Sequence, residues 1–146
     1  MKILVTGGLG YIGSHVSIDL IKQNHDIIII DNLSNSTLSV LNQIESITKI
    51  KPNFQKIDLL NKIDLKSFFN NHNDIDGIIH FAALKSVSQS TIEPLRYYEN
   101  NILGIINILD LMPRGIPFVF SSSCTVYGSS DKQPMNELLP FGIPES

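Results

Sequence analysis

Residues Ile3-Leu4-Val5-Thr6-Gly7-Gly8-Leu9-Gly10-Tyr11-Ile12-Gly13 pass from an apolar run through spaced glycines into a helical pattern. That order is how a parallel sheet builds a strand, a tight turn and a helix as one unit. Gly10 lets the backbone approach a ligand with no Cβ in the way, and Gly13 lets the helix sit close to the strand. Unpaired N–H groups at the helix start then face the turn and favour negative charge. The pattern predicts a cradle for the pyrophosphate of a dinucleotide.

A carboxylate stands at the matching distance. His25-Asp26-Ile27-Ile28-Ile29-Ile30-Asp31 is an apolar run of the length of a buried parallel strand, and Asp31 ends it 18 residues beyond Gly13. An acid there holds the adenosine ribose hydroxyls and repels a 2′-phosphate, which favours NAD over NADP. Without the glycines upstream, Asp31 would read as a surface residue closing a strand.

The alternation continues. Strands are expected at 2–6, 26–31, 53–57, 75–81 and 116–120, with Pro117 tolerated only near the start of the last. Helices are expected at 11–23, with Ile12, Val16 and Leu20 on one face, and after a cap at Ser36 or Thr37, carrying Leu38, Leu41, Ile44 and Ile47. Another is expected at 61–71. A long helix opens at Glu93-Pro94 and bears Leu95, Ile102, Ile105, Leu109 and Met112. Strands alternating with helices imply right-handed crossovers and an α/β fold, a Rossmann-type doubly wound parallel sheet of about five strands in the order 3-2-1-4-5. Residues 1–127 form this domain. The stretch 128–146, with Pro134, Pro140 and Pro144, reads as a surface loop. No sixth strand follows, so the chain reads as cut short.

With 146 residues the chain is one domain's worth and can bury a core. A net charge of −3 argues against nucleic acid or an anionic membrane as partner. No apolar run approaches the ~20 residues of a spanning helix, and the start has no signal-peptide pattern. The single cysteine, Cys124, excludes an internal disulfide and suits a reducing cytoplasm. The histidines are scattered without metal-ligand spacing, so no metal is expected.

Several segments resemble the extended short-chain dehydrogenase/reductase family, in particular its UDP-hexose 4-epimerase branch. They are Val5 to His15, Asp31-Asn32-Leu33-Ser34-Asn35-Ser36, His80 to Val87, Pro94 to Asn101 with its Tyr97-Tyr98-Glu99-Asn100-Asn101 run, and Ser121 to Gly128. Ala83 stands where a glycine is common in the family and Cys124 where an alanine is common. The resemblance implies NAD as cofactor. It places Tyr11 and Ile12 under the pyrophosphate with Gly7, Gly10 and Gly13, and sets Asp31, Asn32, Asn35 and Ser36 around the adenosine ribose. Asp58 and Leu59 would face the adenine, where Asp58 can accept a hydrogen bond from the amino group. By residue type alone Asp58 is equally a turn or cap residue. Phe81, Ala82, Ala83, Leu84 and Lys85 would line the cofactor, Lys85 reaching its ribose, and Asn100 would approach the nicotinamide side. Outside the family Lys85 is an exposed lysine before a helix and Asn100 one more polar surface residue.

Ser123 is the catalytic residue the resemblance implies, bonding the sugar 4-hydroxyl and touching the cofactor. Ser121 and Ser122 are expected only to satisfy backbone. His80 is expected as a packed strand-end histidine and Tyr127 as structural. The family moves hydride from sugar carbon 4 to NAD and returns it to the other face of a 4-keto sugar. Its base is a Tyr with a Lys four residues on, one helical turn away. Here the residues four beyond Tyr11, Tyr97, Tyr98 and Tyr127 are His15, Asn101, Ile102 and Asp131. The family's homodimer also uses the long helix, so that helix is expected to expose apolar residues and the fifth strand a bare edge. Three readings follow: the NAD-binding portion of a UDP-hexose 4-epimerase, inactive alone; a portion of a related sugar-nucleotide epimerase or dehydratase; or a non-catalytic NAD-binding module.

Overall fold

The computed structural model describes residues 1–128 and 134–143. Five parallel strands, β1 Lys2–Thr6, β2 Asp26–Asp31, β3 Asn53–Lys56, β4 Gly77–His80 and β5 Phe118–Phe120, form one sheet in the order β3-β2-β1-β4-β5. Helices fill the crossovers: α1 Tyr11–Lys22, α2 Ser39–Thr48, α3 Lys62–Asn71 and α4 Val87–Ile92. They are followed by α5 Pro94–Tyr98, a π-helical turn Glu99–Leu103, and α6 Gly104–Leu111. The expected strand order is the observed one.

Successive residues of β1 and β2 serve opposite faces of the sheet. Leu4, Ile28 and Ile30 pack with Ile78, Leu65, Phe68 and Ile108 on one side. Ile3, Val5, Ile27 and Ile29 pack with Leu9, Ile21, Leu41 and Ile44 on the other. Burial on both faces explains why these strands read as continuous apolar runs. Among the described residues, no helix is long and apolar enough to cross a membrane.

The helices depart from their expected faces. In α1 the buried residues are Gly13, Ser14, Ser17 and Ile21, whereas Ile12 is 42% exposed and Val16 and Leu20 are half-buried. The helix start lies too close to the β1 turn for large side chains, and Ser17 folds its hydroxyl back onto the Gly13 carbonyl at 2.8 Å. In α2 only Leu41 and Ile44 are buried. The expected cap at Ser36 or Thr37 is not used. Ser36 donates instead to the Asp31 carboxylate at 2.8 Å, a stronger acceptor than a neutral oxygen. Asn61 does cap α3, accepting from the Ile63 and Asp64 amides.

The long helix begins at Pro94 as expected, but its buried residues are Gly104, Asn107 and Ile108. Leu95, Ile102 and Leu109 are exposed. The π turn fits an extra residue into one turn, so an apolar stripe drawn at constant pitch loses register across it. The short helix α4 starts just beyond Lys85, where Ser86 and Gln89 have capping-box spacing; the Ser86 hydroxyl accepts from the Gln89 amide at 3.4 Å. Strands β3, β4 and β5 are each shorter than expected. The Pro117 carbonyl still accepts from the Ile78 amide at 3.0 Å, just ahead of β5.

Val119 and Phe120 of β5 are exposed, and β4 is the neighbour of that strand in the sheet. A turn of 3₁₀ helix, Cys124–Tyr127, follows. Residues 134–143 carry no helix or strand; Phe141 stacks on Tyr127 with ring centres 6.5 Å apart, and Gly142 donates to the Val126 carbonyl. The remainder of the expected surface loop, including Asp131 and Pro144, lies outside the described residues.

Candidate functional site

Four loops leave the carboxyl ends of β1, β2, β3 and β4 and enclose a cleft of about 280 Å³. It opens at the point where the chain, having built outward from β1 to β3, crosses back to place β4 on the other side. Open parallel sheets gather ligands at such a switch point.

The β1 loop forms its floor. Gly7 has φ +65°, and a Cβ there would stand 2.7 Å from the Ala82 Cα of the β4 loop. A Cβ on Gly13 would strike the Gly7 carbonyl oxygen and lie 2.8 Å from the Gly8 Cα. These two positions hold two loops and a helix start at a spacing that only glycine permits. Gly10 precedes α1 with extended backbone and no side chain to cap it. No acceptor for the Tyr11, Ile12 and Gly13 amides is found among the described residues. With no acid in its first turn, α1 presents three free donors and the positive end of its dipole to the cleft. Tyr11 and Ile12 form the adjoining wall, as Gly7, Gly10 and Gly13 do beneath them.

The β2 loop supplies the acid. Asp31 is 7% exposed, and its Oδ2 accepts from the Leu9 amide at 3.1 Å. Its Oδ1 accepts from the Leu33 amide at 2.9 Å and the Ser36 hydroxyl at 2.8 Å. Three donors therefore fix the carboxylate at the lip of the cleft. Asn32 and Asn35 line the wall; Ser36 sits one layer behind and reaches the site through Asp31.

Asp58 and Leu59 bring in the β3 loop. Asp58 Oδ1 accepts from the Leu60 amide at 2.9 Å, the turn role its residue type allows, and Oδ2 accepts from Asn32 Nδ2 at 3.1 Å. From the β4 loop, Phe81, Ala82, Ala83, Leu84 and Lys85 all line the cleft, and Asn100 closes it from the π turn. Lys85 is exposed and lies just before α4, so it occupies a helix-start position as well as the cleft rim.

Ser123 does not line this cleft. Its hydroxyl accepts from the Thr125 amide at 3.3 Å and heads the 3₁₀ turn after β5. His80 is 2% exposed, bonded through Nδ1 to the Thr6 hydroxyl at 2.7 Å and stacked on Phe118 and Phe120. Burial holds its pKa down to about 4, so it is neutral at pH 7 and sits as a packed strand-end residue. Among the described residues no cluster of His, Cys, Asp and Glu is arranged to hold a metal ion.

Asn101 was given no role by its sequence context. Its Oδ1 accepts from the Leu84 amide at 2.8 Å and its Nδ2 donates to the Leu84 carbonyl at 3.0 Å, fixing the β4 loop from the π turn. Ile30, Ser34 and Ile57 also line the cleft without having been singled out. For Asn101 a signal existed: a poor helix former repeated as Asn100-Asn101 inside a helical stretch.

The chain matches the profile of the NAD dependent epimerase/dehydratase family over residues 3–146. It is 45% identical over 144 residues to UDP-glucose 4-epimerase of Erwinia amylovora, covering 97% of this chain and 42% of that protein. It is 48% identical to the UDP-glucose 4-epimerase of Schizosaccharomyces pombe, covering 97% and 40%. The chain thus spans under half the length of these relatives. Among solved structures, UDP-glucose 4-epimerase from Stenotrophomonas maltophila, with bound NAD and formylated UDP-arabinopyranose, superposes with TM-score 0.90 at 43% identity, over 97% of this chain and 43% of that one. The enzyme from Bifidobacterium longum in complex with NAD+ and UDP superposes with TM-score 0.92 at 36% identity, over the same shares. A glycine-floored cleft, a buried acid at its lip and a profile match along nearly the whole sequence lead to one assignment: the chain belongs to the NAD dependent epimerase/dehydratase family.

Proposed function

We propose that the cleft binds NAD and that these residues are the cofactor-binding portion of a UDP-hexose 4-epimerase. The observation that carries this reading is the floor of the cleft. Three amides at the start of α1, with no acceptor among the described residues, stand over a turn that Gly7 and Gly13 let pack backbone against backbone, a set of donors suited to a diphosphate. Asp31, with Asn32, Asn35 and Ser36 around it, takes the adenosine ribose, and its charge disfavours a 2′-phosphate. Asp58 and Leu59 take the base; Phe81 to Lys85 and Asn100 take the nicotinamide half. The similarity to enzymes solved with NAD supports the assignment.

Bound NAD supplies a hydride acceptor. This chain's own part is to bind and orient it, and to place Ser123 near a sugar hydroxyl beyond β5. Proton removal from that hydroxyl needs a base of lowered pKa, and no tyrosine here has a lysine four residues on. We therefore read these 146 residues as binding cofactor without epimerising a sugar. A reducing cytoplasm is our reading of the compartment, supported by the lone Cys124.

Calorimetry on the 146-residue chain tests both statements when paired with an activity assay. Heat on adding NAD, at least tenfold tighter than NADP, is expected; silence from a sample that melts cooperatively would overturn the binding reading. With NAD and UDP-galactose supplied, the appearance of UDP-glucose would overturn the claim of inactivity.

A further inference from the structure

The run Gly104-Ile105-Ile106-Asn107-Ile108-Leu109 holds one amide in an otherwise apolar helical segment. Asn107 is 4% exposed, and its Nδ2 donates to the Leu59 carbonyl at 2.9 Å, 48 residues away in sequence. A buried amide of this kind persists where it satisfies a group that has no other partner. Among the described residues no other donor reaches the Leu59 carbonyl. One turn earlier, Gly104 faces the same residue; a Cβ there would lie 3.3 Å from the Leu59 Cβ.

Leu59 follows Asp58, and the two form the β3 side of the cleft. Their turn is held from two directions: Asn32 bonds the Asp58 carboxylate on the cleft side, and Asn107 bonds the Leu59 carbonyl from behind. Asp58 has spent one acceptor direction on the Leu60 amide and one on Asn32, of the four or so a carboxylate offers. The remainder can accept from an exocyclic amino group on a purine. A 6-oxo purine turns an oxygen toward the same place, and two acceptors repel.

We propose that Asn107 is a positioning residue for base recognition: through the Leu59 carbonyl it fixes the Asp58–Leu59 turn and so sets the preference for a 6-amino over a 6-oxo purine dinucleotide. This rests on the reading of the cleft as an NAD site. Asn107 touches no ligand, and it acts from behind the wall.

The test titrates NAD and nicotinamide hypoxanthine dinucleotide into the wild-type chain, Asn107→Leu and Gly104→Ala, with a thermal melt of each. Wild type is expected to favour NAD. Asn107→Leu, close in volume but without the donor, is expected to shrink the ratio of the two affinities about tenfold, the worth of one well-formed hydrogen bond to a charged group. Loss of stability alone would weaken both ligands equally and leave that ratio alone. If Asn107→Leu does not fold, Gly104→Ala decides, since it keeps the amide and improves helix propensity while pressing on Leu59. A ratio within about twofold of wild type in the deciding variant overturns the proposal, as does a wild type that binds both dinucleotides equally. A folded wild type that binds neither overturns the NAD reading itself.

Discussion

Gly7 and Gly13 sit where a side chain would press on backbone, Gly7 against Ala82 of the β4 loop and Gly13 against the Gly7 carbonyl and Gly8. Gly13→Ala is expected to cost about 1–3 kcal/mol of stability through overpacking against Gly8. It is also expected to weaken NAD binding more than tenfold; equal urea midpoints and equal binding heats for the two chains would contradict this. Asp31 was legible by distance from the glycines, but its three donors were not. Ser36 looked like a helix cap because the carboxylate that captures its hydroxyl comes near only after folding. Asp58 shows the limit well, since its two oxygens serve a turn and a cross-loop bond together.

Elements were legible as far as their periodicity is uniform. Strand order and helix order followed from alternation, whereas helix faces did not. The face of α1 is set by small residues under close packing, which carry little hydrophobic signal. The face of the long helix is set by a π turn, and constant pitch cannot register that. That turn points Asn101 at both backbone groups of Leu84. Asn101→Ala is expected to free the β4 loop. The Leu84 amide should exchange with solvent at least tenfold faster, while amides of β1 and β2 hold their rates. Stability should drop by about 1–3 kcal/mol, the cost of leaving such groups unpaired. Unchanged exchange at Leu84 would show that the loop holds its shape without the clamp.

For the molecule as a whole, burial on both faces of one sheet makes stability depend on groups that must stay uncharged. His80 is the clearest. Its folded pKa is near 4, against an ordinary 6.5, because burial disfavours the cation. As pH falls below 6.5 the unfolded chain takes up a proton that the folded chain refuses. Stability is therefore full above that value, declines as pH drops, and levels off below about 4. Between pH 7.5 and 5 the loss from this group is about 2 kcal/mol. Urea unfolding at the two pH values should show that slope, and a His80→Asn chain, which keeps a partner for Thr6, should lack it. The exposed Leu95, Ile102 and Leu109 agree with the expectation, implied by the family resemblance, that the long helix exposes apolar residues.

The position of β1 in the sheet has a consequence in time. It is made before the four strands that follow it and lies at the centre of the five described strands, paired with β2 through Lys2↔Asp26 and with β4 through Ile3↔Gly77. One side of its ladder is available after a single crossover. The other waits until 74 further residues have been made, when Asp76 bonds the Lys2 amide. Until then a strand with three consecutive apolar residues has an open flank, and the floor of the cleft has no opposing wall. β1 thus keeps one flank open until β4 is made, and that apolar edge must be kept from other chains while the ribosome works through β2, β3 and their helices.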